Sequence, residues 1–367
     1  MQDNVPNKDQ CDTGSYTPVT EEAIDDIALG APFDKDPDNT NDAPRHPAVG
    51  TATATDLDPQ PTEPPCPQIK AGCVWDSDNW SCAYDAIFMS LLFIYRNSSS
   101  SWRNKWRKQA PKWNTFLGGA FDCLLSMAQD NRTPQAALSR KFTSFRETFR
   151  DELSRINPAY FQRHGMISAS VCQILSHIFS DSVVCEPHLD QVAACDQCGI
   201  ATHSRCLFAL LGSTVLLDRY LNEDDTGPLL PLQTAVTRYV ECFSQEPQRD
   251  HCSTCSGPLR VESLSIPETT WLWIELDDLE SPIAPSPRLV FGFRDQRHVY
   301  TLQSVIYLGG HHFTARLSDR SDMWWKYDGQ WKFGAPCVDR VKDEVDLLVN
   351  DGRHAAFLLY SRADVEG

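Results

Sequence analysis

Two cysteine pairs of identical spacing, Cys195-Asp-Gln-Cys198 and Cys252-Ser-Thr-Cys255, are separated by 53 residues (252 − 198 − 1). Each pair can form a knuckle offering two thiolates, and two knuckles brought together make the tetrahedral four-sulfur set that zinc prefers. A redox pair would need a thioredoxin-like βαβ setting, which neither motif has; metal-free buried cysteines are the other alternative. Cys185, His188, His203, Cys206 and Cys242 lie nearby as substitute ligands, although singly each reads as a core or surface residue. A second chemistry starts at Cys82, where Asp78, Asn79 and Ser81 are all acceptable helix caps and the run to Arg96 is apolar nearly all round. The positive end of a helix favours a thiolate, so Cys82 is a candidate nucleophile, with a buried structural cysteine as the plain alternative. A base must come from elsewhere in the chain. Gly309-Gly-His-His-Phe-Thr-Ala-Arg-Leu317 alternates as a strand and is followed by Trp324-Trp-Lys-Tyr-Asp328. A hairpin of these two strands sets a histidine beside an aspartate, His312 and Asp328 being 16 positions apart, so that the carboxylate fixes the imidazole tautomer and the imidazole activates the thiol.

The elements that must position these groups divide the chain in two. Besides the run at 82–96, apolar spacing predicts helices at 117–129, 133–155 and 167–179, the last with Val171, Ile174, Leu175 and Ile178 on one face. After about residue 181 the runs read as strands: TVLLDRYL, TAVTRYVECF, LRVESLSI, TWLWIEL, RLVFGF, HVYTLQSVIYL, HHFTARL, MWWKYD and HAAFLLYSR. A helical part followed by an antiparallel β part, with chemistry between them, is an α+β arrangement. The basic-aromatic stretch Trp102-Arg-Asn-Lys-Trp-Arg-Lys108, with Lys112 and Trp113, reads as one charged helix face with its tryptophans packed inward. There is no internal repeat.

Composition bounds the partners. Fifty acidic against 33 basic side chains give −17, which argues against a general nucleic-acid binder, because phosphate neutralisation needs a basic face. Residues 1–70 carry 14 acidic against 4 basic side chains and 11 of the 24 prolines, the composition of a disordered acidic, Pro-rich tail. The stretch PTEPPCP at 61–67 reads as its proline-stiffened end, and EEAIDDIAL at 21–29 has weak helical spacing within it. The start has neither a basic nor an apolar signal region, and no apolar run is long enough to span a bilayer, so the expectation is a reducing, cytoplasmic or nuclear setting without membrane contact.

The chain resembles a ubiquitin-specific protease, the papain-like cysteine peptidase family of thumb, fingers and palm. The resemblance covers about 73–362 and follows the family's order: a Cys box before an apolar helix, CxxC then CxxC, a strand like TWLWIELDD, a His box and a closing strand. HFTARL with WWKYD is similar to the family's H-Y-x-x-Y and W-x-x-F-D, and HAAFLLYSR to its terminal A-Y-x-L-x-Y-x-R. The resemblance implies a catalytic domain at 71–365, divided into thumb (71–180), zinc fingers region (181–265) and palm (266–365). It implies Cys82 as nucleophile, His312 as general base with His311 as the near alternative, Asp328 as the orienting residue, and Cys195, Cys198, Cys252 and Cys255 as ligands of a structural zinc ion. The Cys box departs from the family's N-x-G-N-T-C-Y-x-N: Ser77 stands where the oxyanion-hole asparagine would be, and Asn79 is the alternative donor beside the Cys82 backbone N–H. Trp75, seven before Cys82, and Asp85, three after it, look like the branch that cleaves SUMO. The implied activity is removal of ubiquitin or a SUMO-like modifier from protein conjugates. The alternatives are a SUMO-specific isopeptidase of the same fold, a catalytically weak or inactive ubiquitin-like binding module that keeps it, and a zinc-ribbon interaction protein.

Overall fold

The structure, a computed structural model, describes residues 69–109, 111–130, 132–165, 169–179, 188–207, 229–245, 251–265, 269–276, 283–293, 296–320, 323–341 and 346–362. The expected tail, apart from its last two residues, and the expected strand at 214–221 lie outside these. Residues 63–367 form one compact unit, and Ile69, two residues before the expected boundary, is already buried in its core.

The fold is α+β. Helix α1 (Cys82–Asn97) is buried at every residue from Cys82 to Arg96, as an all-round apolar run requires. Around it lie α2 (Ser100–Gln109), α3 (Pro111–Gln129), α4 (Gln135–Ile156) and α5 (Val171–Phe179). The tryptophans of the basic stretch, Trp102, Trp106 and Trp113, are buried, while Lys105, Lys108 and Lys112 are exposed. Trp106 stacks between Trp102 and Phe121, which explains the alternation of aromatic and cationic residues as an inner and an outer helix face.

Strands β1 (His188–Cys195) and β2 (Ala201–Leu207) follow, then β3 (Leu230–Pro231), α6 (Leu232–Gln245) and β4 (Leu259–Ser265); β1 pairs with both β2 and β4 in a three-stranded antiparallel sheet. The expected strand TAVTRYVECF is in fact helix α6. Its β-branched and aromatic residues suggested a strand, but Leu232, Val236, Tyr239, Val240 and Phe243 recur with helical period and are the residues it buries. Period outweighs propensity here, because burial of a whole stripe exceeds the few tenths of a kcal/mol that separate these residues on a helix scale.

The remaining strands are β5 (Trp271–Glu275), β6 (Ile283–Ala284), β7 (Arg288–Phe293), β8 (Gln296–Gly309), β9 (His312–Ser318), β10 (Met323–Tyr327), β11 (Cys337–Val341), β12 (Val349–Asn350) and β13 (Arg353–Arg362). β6 pairs with β3; the others form one antiparallel sheet in the order β11-β10-β9-β8-β13-β12, with β5 on β13 and β7 on β8. Alternation along β5 places Trp271 and Trp273 in one core with α1 to α5, and Leu272 and Ile274 in a second core with α6. The helical part and the sheet therefore share a core, and the Ser90 and Ser304 hydroxyls bond at 2.7 Å between α1 and β8 inside it.

An extended strap, residues 69–75, runs between α4 and the turn after β10. Trp75 N–H donates to the Gly329 carbonyl at 3.0 Å, and the Tyr327 hydroxyl donates to the Cys73 carbonyl at 2.9 Å. Gly72 and Gly334 meet so closely that a Cβ on Gly334, where φ is 63°, would stand 1.9 Å from the Cys73 carbonyl oxygen. Gly334→Ala is accordingly expected to lower the folding free energy by about 2–3 kcal/mol through strain and displacement of the strap, read as a shift in denaturant midpoint at constant slope.

Candidate active site and metal centre

Cys82 opens α1, with Ser81 as its N-cap. Ser81 makes no side-chain cap bond. Its hydroxyl instead accepts the Asp76 N–H at 2.8 Å and donates to Asp85 Oδ2 at 2.7 Å. The first-turn N–H groups are thus left uncapped around the thiol, at the positive end of the helix. Asp85 is held in turn by Arg146, whose Nη1 lies 2.6 Å from Asp85 Oδ1 and also donates to the Val74 carbonyl at 3.1 Å. Both side chains are 2% exposed. Burial pushes the Asp85 carboxyl up from the usual carboxylate range against the pull of Arg146 and the Ser81 bond. The same burial opposes the Arg146 charge, but Asp85, Cys73 and Glu147 outweigh it and keep the guanidinium charged.

His312 arrives from the sheet. Gly309 at the end of β8 pairs with His312 at the start of β9, so Gly310 and His311 are the two central residues of the hairpin turn. Both have φ 58°, as a type I′ turn requires, and histidine is among the side chains that tolerate it. This register separates the two histidines: His311 is exposed at the tip, and His312 is buried. Along β9, Phe313, Ala315 and Leu317 pack into the core shared with α1, leaving the alternate residues for polar partners. Arg316 bonds Asp339 at 2.8 Å, and His312 Nε2 bonds Asp328 Oδ1 at 2.9 Å. Asp328 follows β10, where its Oδ1 also accepts the Gln330 N–H at 2.9 Å.

The other ring nitrogen, Nδ1, is buried and closes no hydrogen bond of ordinary geometry. The Cys82 side chain is near enough to act on the imidazole both as a hydrogen-bond partner and as a charge. Trp75 packs edge-on against the ring, centroids 5.3 Å apart. Burial disfavours the imidazolium, but Asp328 and Cys82 together overcome that penalty and push the His312 pKa up to about 9. Burial would raise the Asp328 carboxyl, yet the His312 bond and the Gln330 N–H hold it below its usual range. The structure thus brings Cys82, His312 and Asp328 into one thiol–imidazole–carboxylate series, a set competent for nucleophilic attack with proton transfer. Cys73, by contrast, is pushed well above the ordinary thiol range by burial and serves packing.

The two oxyanion candidates are placed differently. Ser77 is exposed. Asn79 donates from Nδ2 to Asp76 Oδ2 at 2.8 Å, its Oδ1 accepts the Gly165 N–H at 3.2 Å, and its backbone carbonyl accepts Arg150 Nη2 at 2.8 Å. That amide is oriented by the loop's own bonds to Asp76 and Gly165. Arg146 and Ser81 were not evident as site residues beforehand. The available signal was an arginine inside the apolar stripe Leu138, Phe142, Phe149, Leu153 of α4, where a charge needs a buried partner.

The four cysteines of the CxxC pairs also come together, all four sulfurs lying within 4.8 Å of one another. Cys195 Sγ is 3.4 Å from Cys255 Sγ, and Cys198 Sγ is 3.6 Å from Cys252 Sγ. The two knuckles have matching backbones: Gly199 N–H donates to the Cys195 carbonyl and Ser256 N–H to the Cys252 carbonyl, each at 2.9 Å, with φ of 71° and 58° at the donor residues. Backbone N–H groups of Thr254 and Cys255 lower the pKa of the Cys252 thiol to about 6, so a thiolate is favoured there before any cation binds. The donor set fits a metal ion. His203 is exposed on β2 and outside the group; Cys185 and the side chains of His188, Cys206 and Cys242 lie outside the described residues.

No protein-family model and no curated protein matches this sequence. Among the described residues no helix is long and apolar enough to cross a membrane.

A histidine whose folded pKa of about 9 exceeds its unfolded value of about 6.5 adds stability that is fully present below pH 6.5 and lost as pH rises through 9. Replacing Asp328 by Asn is expected to move the His312 titration down from about 9, followed by NMR, and the stability gap between wild type and variant is expected to shrink between pH 6.5 and 9.

Proposed function

We propose that this chain is a cysteine isopeptidase of the ubiquitin-specific-protease type, which removes ubiquitin or a ubiquitin-like modifier such as SUMO from protein conjugates. The observation that carries the reading is the placement of Cys82 at the uncapped start of a buried helix, beside a His312 that is itself bonded to Asp328. In this reading the fold is papain-like: α1 to α5 make the thumb, the sheet of β1, β2 and β4 the zinc-ribbon fingers, and the eight-stranded sheet the palm.

The Cys82 thiolate attacks the carbonyl of the modifier's C-terminal glycine, giving a tetrahedral oxyanion that faces the helix start. His312, protonated and held by Asp328, hands its proton to the departing lysine amine as the C–N bond breaks. The neutral imidazole then takes a proton from water as the hydroxide adds to the thioester carbonyl; the C–S bond breaks, the modifier leaves with a free C-terminal carboxyl group, and the thiolate–imidazolium pair is restored. Trp75 shields the imidazole and, with Asp328, leaves it one orientation. Cys195, Cys198, Cys252 and Cys255 would hold a zinc ion that fixes the two knuckles and takes no part in these steps. Their sulfur spacings of 3.4 and 3.6 Å are close to the roughly 3.8 Å edge of a tetrahedron with Zn–S bonds of about 2.3 Å.

One observation favours a second reading, a modifier-binding module of weak or absent activity. The Asn79 amide is tied to Asp76 and Gly165 and so is turned to the loop rather than offered as an oxyanion donor, and one missing donor costs about 10²–10³ in rate. Electrophilic C-terminal probes of ubiquitin and of SUMO, applied in parallel and read by mass spectrometry, decide between them. The expected result is an adduct with one probe on wild type and none on Cys82→Ser. No adduct with either probe on folded, metal-loaded protein overturns the isopeptidase reading in favour of the module.

The zinc assignment has its own check. Elemental analysis is expected to give about one zinc per chain, and chelation to lower the melting temperature well before it changes the rate of Cys82 alkylation in still-folded protein. Cys198→Ser is expected to reproduce the loss of metal and the lowered melting temperature.

A further inference from the structure

We propose that Arg353 is a specificity-determining residue of this site, a guanidinium without a partner of its own that takes a carboxylate of the substrate beside the scissile bond. The inference rests on the isopeptidase reading above and adds the chemistry by which that site selects among conjugates.

Arg353 reaches the site from a hairpin that folds over the large sheet. Asn350 pairs with Arg353 across a two-residue turn, Asp351 and Gly352, whose φ of 49° and 75° are those of a type I′ turn, for which Asp-Gly is a preferred sequence. The hairpin is tied to the strands beneath it: Lys326 Nζ on β10 lies 3.1 Å from Asp351 Oδ1, and Arg316 Nη1 on β9 donates to the Val349 carbonyl at 3.1 Å. Arg353 then passes over Gly309. A Cβ on Gly309 would stand 2.9 Å from Arg353 Cγ, so the arginine stem occupies the space that a side chain there would fill. Gly309 is the residue paired with His312, and directly opposed residues of an antiparallel pair point to one face. The stem thus lies on the face to which His312 points, and its charge is near enough to favour the ionised Asp328 carboxylate.

The charges of that face leave Arg353 over. Asp339 bonds Arg316 at 2.8 Å, Asp351 bonds Lys326, and Asp328 bonds His312 at 2.9 Å through Oδ1, which also accepts the Gln330 N–H. The Arg353 side chain closes no hydrogen bond or ion pair among the described residues, and its Nε is buried. An ordinary surface arginine keeps all its nitrogens in water. Here the stem and Nε are enclosed while the residue as a whole is half-buried, so the fork is held at one end and offered at the other. Enclosing a donor without an acceptor costs stability, and local costs of this kind are retained at functional sites.

A planar guanidinium fork matches a carboxylate through two parallel bonds, which a protein substrate supplies as Asp or Glu. In the mechanism above the target lysine departs past His312. Acidic side chains flanking that lysine, or acids of the modifier, are the two sources of such a carboxylate.

The test uses the full chain and two sets of substrates, each made with ubiquitin and with SUMO. One set is isopeptide-linked to a short peptide with Glu or Gln close to the lysine; the other carries a C-terminal fluorogenic amide and no target chain. Wild type is expected to cleave the Glu conjugate with kcat/KM about tenfold above the Gln conjugate, the size of one charge-assisted contact, and to lose most of that ratio at about 1 M salt. The ratio is expected to approach one in Arg353→Gln, to be largely kept in Arg353→Lys, which retains the charge, and to invert in Arg353→Glu. A salt-sensitive loss in Arg353→Gln that is shared by both conjugates and the fluorogenic amide supports the assignment with the carboxylate on the modifier. Equal cleavage of every substrate by wild type and Arg353→Gln, or a loss that ignores salt and persists in Arg353→Lys, overturns the assignment while leaving the isopeptidase reading intact. Failure of wild type to cleave any of the substrates overturns the isopeptidase reading and this inference with it.

Discussion

The buried ion pair between Asp85 on α1 and Arg146 on α4 is the constraint on which the site's geometry depends. Its two side chains are almost fully excluded from solvent, and each also bonds a second group: Asp85 the Ser81 hydroxyl, Arg146 the Val74 carbonyl. Two segments before Cys82, the strap and the loop at 76–81, are thereby referenced to one charge pair. Taking both charges out of water is costly, and a pair of this kind stabilises little against an apolar alternative of equal volume. What it supplies is directionality: short charge-assisted bonds tolerate little displacement, whereas apolar contacts slide. The loop carries a tryptophan with positive φ, which a merely apolar anchorage would let relax.

The second half of the site is positioned by a different device. β-Sheet register is discrete, and a slip of one residue would exchange His311 with His312 and turn every side chain of β9 to the opposite face. A two-residue turn removes that freedom, and the pairing of β9 with β10 then places Asp328 just past its strand end, within reach of the imidazole. The strap joins the two devices, because Trp75 is hydrogen-bonded to Gly329 beside Asp328 and packs on His312, while Val74 before it is held by Arg146. Cys82 and His312 come from different elements, but the strap ties the loop before one to the turn beside the other.

The four-cysteine cluster stands apart from this network, at the ends of β1 and β4, with a small apolar group of Ala193, Cys195, Cys252 and Leu259 beneath it. So small a core gives the three-stranded sheet little burial of its own, and a metal ion is the direct way to hold two knuckles together. The matched positive φ at Gly199 and Ser256 reflects one backbone path traced twice.

Much was legible in the residues alone, because the relevant signals are local. Helix α1, the paired knuckles, the α+β division and six strands of the large sheet, all but the short β11 and β12, follow from apolar period, cysteine spacing and alternation, each read within a short window. Helix α6 was not, since its residues favour a strand by type and a helix only by period, and burial against the large sheet decided between them. The candidates Cys82, His312 and Asp328 could be named from sequence. Their placement relative to one another required a hairpin register, which buries His312 and leaves His311 exposed, and a strap contact between residues 254 positions apart, Cys73 and Tyr327. The same holds for Arg146, for the true bonds of Ser81 and Asn79, and for the packing of Arg353 on Gly309. Sequence determined which groups were available and what local conformation each preferred; the tertiary structure alone decided which met, because contacts between distant segments depend on packing and desolvation that no local window contains.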